Sequence, residues 1–233
     1  MTVSTIAEST GKSKVGRPVN AKPEQQREKI IRAALAEFSQ KGFSGASVRT
    51  IALQAGVAHG LIRHYYQSKE ELFRSAADFL FEQIAETLSR AGDVPDHKDP
   101  VQQLEFQIRS FVRMSASLPH MAAFLMQAGL DGGEHFDYVL EKYVRPLHEL
   151  SLAPYRQAVA DGLLHDMNPG FVFLIATHAA TAPFANMALR HALSDAPANN
   201  AAQIEEYADT LIRILLEGSL TEKHRLSRSL TVR

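Results

Sequence analysis

The chain has 233 residues, 45% of them hydrophobic and none of them cysteine; it can bury a core, and disulfide scaffolds, thiolate metal sites and cysteine nucleophiles are excluded. Its net charge of −1 conceals an asymmetry: residues 1–69 hold 11 Lys and Arg against 4 Asp and Glu, a balance of +7, whereas residues 81–220 hold 9 against 18, a balance of −9. A basic front carried on an acidic body is the pattern of a polyanion-binding head with a separate regulatory or assembly unit.

Residues 1–22 mix Ser, Thr, Gly, Pro and Lys with few large apolar groups, which predicts a mobile arm made basic by Lys12, Lys14, Arg17 and Lys22. They hold no apolar run of about 7–15 residues, so no secretory signal is expected and the cytoplasm is the expected compartment. From Pro23, Ile30, Ile31, Ala34, Leu35 and Phe38 repeat at helical spacing until Gly42. Ser47 is a candidate cap for a short helix over Val48–Ala55, and Gly56 ends it. A third helix follows over Ala58–Tyr65. Ser68-Lys69-Glu70-Glu71 reads as a capping box for a fourth, which runs to about Arg90.

Beyond residue 100 the pattern stays helical, with segments near 101–117, 119–129, 134–163, 169–193 and 201–217. No strand is predicted. Pro146, Pro154 and Pro183 should each kink or break their helix, because proline lacks a donor and crowds the preceding turn. The apolar stretch Gly170–Leu193 carries His178, Pro183, Asn186, Arg190 and His191, which reads as a buried helix of a soluble protein and not a membrane span. The last 13 residues, with 4 Lys and Arg against 1 Glu, read as a disordered basic tail.

Two short helices joined at Gly56, with small Ala52 at their crossing and Ile51, Ala55, Val57 and Ile62 around it, meet the packing requirement of a helix-turn-helix. The third helix would present His59, Gly60, Leu61, Arg63, His64 and Tyr65. Gly60 admits close backbone approach to DNA, and Arg63 and His64 can donate to phosphates or base edges. Tyr66 is expected in the core and Tyr65 partly exposed.

The run from Arg27 to Phe73 resembles the DNA-binding head of the TetR family of bacterial transcriptional regulators. The resemblance rests on the corner Phe38, Gly42, Phe43, on the turn Ile51, Ala52, Ala55, Gly56, Val57, and on Tyr66, Ser68, Lys69, Glu70 and Leu72. It implies an all-α protein of about nine helices. A three-helix DNA-binding unit over 23–70 would follow the 1–22 arm, with an effector-binding and dimerisation body over 71–220 and the tail 221–233. By the same resemblance and by geometry Lys69 should lie beside a phosphate, with Ser47 and Arg49 clamping its neighbour; Arg17 of the basic arm is a candidate for the minor groove. The sequence departs from the family pattern at Ala58, where a capping serine is common, at Arg63, where a tyrosine is usual, and at Tyr65-Tyr66, in place of histidine and phenylalanine.

One such head reads only a few base pairs, so specificity calls for a two-fold dimer on a pseudo-palindrome. Phe171, Ile175, Ala179, Tyr207, Leu211 and Leu215 on the last two long helices are the candidate dimer contacts. Phe106, Arg109, Arg113, Phe124, Gln127, Tyr138, Tyr155, His178, Thr181 and Phe184 mix apolar walls with isolated polar groups, as a small-molecule effector site would. The resemblance implies a repressor released by that effector; the alternative is a DNA-binding adaptor or nucleoid-associated protein with a filled body. No cofactor and no metal are expected. The sequence carries no Gly-x-Ser-x-Gly elbow, phosphate-binding glycine loop or His-Glu-x-x-His pair, so no enzyme activity is expected.

Overall fold

The computed structural model describes residues 23–90, 99–193 and 200–220. Helix α1 spans Pro23–Gly45, α2 Val48–Ala55, α3 His59–Tyr65, α4 Lys69–Arg90, α5 Pro100–Ser117 and α6 Pro119–Asp131. Then come α7, Gly133–Val139, a π-helical segment over Leu140–Val144, and α8, Arg145–Ala160. The chain closes with α9, Pro169–Ala185, α10, Met187–Leu193, α11, Ala201–Ile212, and a second π segment, Arg213–Glu217. Among the described residues there is no strand, only an isolated bridge between Leu164 and Leu220. The basic arm with Arg17 and the tail lie outside the described residues.

Three cores hold these helices. The first joins Ile30, Ala34 and Phe38 of α1 to Ile51, Ile62, Phe73 and Leu80, and continues without a break into Met114, Met121, Phe124, Ala128 and Val139. The boundary expected near residue 70 therefore falls within the first turn of a continuous α4, and the front helices share their core with α6 and α7. The second core gathers Val101, Leu152, Tyr155, Ala158, Leu164, Leu216 and Leu220. The third gathers Val112, Ala180, Phe184, Ala208 and Leu211.

The prolines act differently from one another. Pro146 cannot donate to the carbonyl four residues back, and the ladder slips into the π register just before it, so the helix expected over 134–163 is divided. Pro154 is buried within an uninterrupted α8, where no break occurs. Pro183 leaves the Ala179 carbonyl without its helical donor, and the Tyr207 hydroxyl of α11 donates to it instead. Three residues later Asn186 ends α9 and caps α10 by accepting from Leu189 N–H at 3.0 Å, so the segment expected over 169–193 is two helices.

The long apolar stretch, expected from the sequence to be buried, is buried only in part. Helix α9 sends Ala180 and Phe184 inward but leaves Phe171 64% and Ile175 57% exposed, with Leu174 beside them. Among the described residues no helix is long and apolar enough to cross a membrane.

Candidate nucleic-acid interface

Helices α2 and α3 form the crossing that their sequence requires. Ser47 accepts from Thr50 N–H at 3.4 Å and starts α2. Gly56 ends it in the left-handed region at φ 67°, a conformation that a side chain would strain. Ala52 and Ile62 are buried where the helices meet. Ala58 supplies no side-chain cap to α3, whose first turn is closed by Leu61 N–H donating to the Ala58 carbonyl at 2.9 Å.

The outer face of α3 carries His59, Gly60, Arg63 and His64, all exposed, with Leu61 half-buried. Arg63, and Arg49 on α2, are exposed, and neither enters an ion pair among the described residues. Three other expected contacts are engaged within the chain. Tyr65 is half-buried; its hydroxyl donates to Gln26 at 3.3 Å, and the Arg27 guanidinium lies 4.8 Å from its ring centre. Lys69 donates to the Ser44 carbonyl at 3.4 Å and sits 4.8 Å from the Phe43 ring centre. The Ser47 hydroxyl is taken by its cap. Tyr66 is buried, and burial pushes its phenol up. At the next helix start the capping box forms, with Glu71 N–H donating to Ser68 at 3.0 Å and Gln67 N–H to Glu71 at 2.8 Å.

Two carboxylates that the motif reading did not single out hold this unit together. Glu37, 95% buried, accepts from Ser47 N–H at 3.3 Å and from Gln54 at 3.1 Å, so it ties α1 to both ends of α2. Asp131, at the end of α6, accepts from the amides of Phe43 and Ser44. Both partners of Asp131 lie nearly 90 residues away in sequence, and no local spacing betrays such a contact.

The chain matches the family model for bacterial regulatory proteins of the tetR family over residues 30–76. It matches that for the C-terminal region of YcdC-like proteins over residues 80–222. The chain belongs to the TetR family. The HTH-type transcriptional dual regulator CecR of Shigella flexneri is 30% identical over 138 residues, 54% of this chain and 61% of that protein. The HTH-type transcriptional regulator BetI of Stenotrophomonas maltophilia is 34% identical over 74 residues, 30% of this chain and 38% of that protein. The chain thus spans between about two fifths and three fifths of the length of these relatives. Among solved structures, FadR from Bacillus subtilis in complex with stearoyl-CoA shares the fold with a TM-score of 0.59 and 16% identity, over 82% of this chain and 98% of that one. The putative regulator SCO4942 from Streptomyces coelicolor gives 0.59 at 20% identity, over 83% and 98%.

In the TetR-family body the residues expected to wall an effector site fall into different packing groups. Phe124 stacks on Phe73 at 5.0 Å in the first core, Tyr155 belongs to the second and Phe184 to the third. The Tyr155 hydroxyl ties down the 165–167 loop, donating to the carbonyls of His165 and Met167 and accepting from Met167 N–H at 2.7 Å. Gln127 faces Gly42 of the head. Arg109 and Arg113 pair across α5 and α11 with Glu205 and Asp209; the Arg113 hydrogen bond is the main reason the Glu205 carboxyl titrates below its ordinary range. Tyr138 donates to Asp78 on α4, as do Tyr143 at 2.6 Å and Lys142 at 3.1 Å. Phe106 and Thr181 are half-buried, and the Thr181 hydroxyl donates back to Thr177 O at 2.9 Å. His178 is exposed, its Nδ1 2.9 Å from the Leu174 carbonyl, on the outer stripe with Phe171 and Ile175.

The dimer candidates divide too. Phe171 and Ile175 are on that open stripe. Leu211 is buried in the third core, Tyr207 is spent on Ala179 and packs edge-on to Phe184 at 6.2 Å, and half-buried Ala179 and Leu215 pack against the same core. A helix-period pattern cannot say which of two apolar faces points inward, and here the α11 face chosen from sequence is the intramolecular one.

Proposed function

We propose that the chain is a cytoplasmic repressor, and not an enzyme, that binds a pseudo-palindromic operator as a homodimer and leaves it when a small molecule occupies the body. One observation carries the DNA-binding part: the exposed α3 face with His59, Gly60, Arg63 and His64, unpaired among the described residues at Arg63, set on a rigid crossing with α2. The arginine suits phosphate or guanine. Two copies joined through the outer stripe of α9, with Phe171, Leu174, Ile175 and His178, would present two such faces to successive major grooves about 34 Å apart. An apolar stripe of this length gains by leaving water.

The effector would act in the body between the second and third cores, which share Ile108. The FadR structure with stearoyl-CoA is the precedent for a ligand held in this fold. Occupation would favour one separation of the two heads over another.

The test is fluorescence anisotropy of the full chain on a duplex from its own upstream region and on a random duplex, across ionic strengths. Tighter binding of the upstream duplex by at least about 1,000-fold, with log affinity falling linearly in log salt, is the expected result. Equal affinity for both duplexes would reject a sequence-reading repressor and favour the nucleoid-associated alternative. A compound screen for release of the bound duplex then tests the effector.

A further inference from the structure

We infer that Asp131 is the positioning residue through which the body sets the angle of the DNA-reading helices. The inference rests on the reading of α2 and α3 as that unit. At Gly42 the chain leaves helical geometry, with φ 68° and ψ 179° inside α1. A kink of this kind takes the next amides out of the helical ladder, and they need another acceptor. The acceptor is one carboxylate oxygen: Asp131 Oδ2 receives both Phe43 N–H and Ser44 N–H, the latter at 3.2 Å. A Cβ at position 42 would collide with that same oxygen, so the glycine serves the approach of the carboxylate as well as the turn.

The corner is gripped from both sides. Lys69, the first residue of α4, holds the Ser44 carbonyl and covers the Phe43 ring. On the body side His135 of α7 stacks on Phe43 at 4.2 Å between ring centres. Ser47, which caps α2, is only three residues past Ser44, and α2 fixes α3 through Ile51, Ala52 and Ile62. A displacement of the α6 end is therefore passed to the reading helix through a short, hydrogen-bonded span. Asp131 is exposed; truncating it opens no cavity, so its effect should fall on geometry and not on core stability.

The experiment uses the full chain, which has no cysteine of its own. Spin labels at Leu53→Cys on α2 and Leu150→Cys on α8, both exposed sites, report the head-to-body distance, diluted with unlabelled chain so that only intramolecular pairs are read. Asp131→Ala should broaden or shift the distance distribution, and Asp131→Asn, which keeps one acceptor, should fall between it and the parent. In the unlabelled chain Asp131→Ala should lower the preference for the upstream duplex over the random one by about tenfold, with low-salt binding to the random duplex unchanged. Parent-like distances in both variants would overturn the assignment. Should Asp131→Ala fail to fold, Asp131→Leu, which has a similar shape and offers no acceptor, decides alone: a shift supports the role and parent-like distances reject it. A parent chain with no preference for its upstream duplex would defeat the proposed function, and the distances would still decide the role of Asp131.

Discussion

Helices α1 and α9 are both long and carry a run of large apolar residues, yet they place those side chains in opposite ways. Helix α1 buries Ile30, Ile31, Ala34, Leu35 and Phe38 in one core, whereas α9 buries Ala180 and Phe184 and leaves Phe171, Leu174 and Ile175 in water. The front of the chain closes on α6 and α7, and apart from Leu53 its exposed large groups are polar or charged. The C-terminal side closes on one face only and keeps a second apolar face in reserve. Surface of that kind is what a self-complementary contact uses.

Substitutions on either side of this contrast should separate folding from association. The largest effect is expected for Leu211→Glu: a carboxylate forced into the third core should cost about 4 kcal/mol or more and unfold the body, read as loss of the cooperative thermal transition. Phe38→Ala should cost about 3–5 kcal/mol by the same readout. Phe171→Ala, at a site 64% exposed, should move monomer stability by less than about 0.5 kcal/mol. Ile175→Glu should likewise leave the helical signal intact and weaken self-association by about 100-fold in sedimentation equilibrium. Unfolding by Ile175→Glu, or a soluble folded Leu211→Glu monomer, would reverse the assignment of the two faces.

Smaller effects sharpen the front half. Gly42→Ala must take a positive φ and displace Asp131, so a loss of about 1–3 kcal/mol is expected in chemical denaturation. Arg63→Ala should reduce the slope of log affinity against log salt by about 1 if the arginine meets a phosphate. Lys69→Ala should reduce it only if DNA draws the ammonium off the Ser44 carbonyl, so the pair of slopes tells which cation reaches the backbone.

The smallest expected effect is a pH dependence at α4. Burial pushes the Asp78 carboxyl up, but hydrogen bonds from Tyr138, Tyr143 and Lys142 outweigh it, and the group titrates below its ordinary 3.8. The Tyr143 phenol, desolvated and hydrogen-bonded to that carboxylate, is pushed up to about 12. The unfolded chain therefore binds the Asp78 proton at higher pH than the folded one. Its stabilisation is present at neutral pH and is lost as pH falls below about 4. The Tm gap between the parent and Asp78→Asn should be open at pH 7 and narrow below pH 4; a constant gap would mean that the charge is not what matters.

Local chemistry made the front half legible. Ser47, Gly56, Ala52 and the Ser68–Glu71 box each specify their element within a few residues, and all sit as their spacing requires. The division of 134–163 was visible only as a proline whose effect depends on register: Pro146 divides a helix, while Pro154 rides inside one. The candidate contacts of the body were less legible because they are tertiary. Arg109 and Arg113 look like ligand-orienting cations until Glu205 and Asp209, nearly 100 residues on, are seen to neutralise them. Tyr207 looks like an interface aromatic until its hydroxyl is seen to answer for the donor that Pro183 lacks.

The single core running from α1 through Phe73 and Phe124 to Val139 also limits how this protein can be taken apart. Residues 23–70 excised alone would lose Phe73, Leu80, Met121, Phe124 and Val139 from their core and go into water with raw aromatic surface. A chimaera that transplants the operator preference to another regulator would need α6 and α7 on the same graft, or a recipient whose own equivalents fit Phe43 and Phe73.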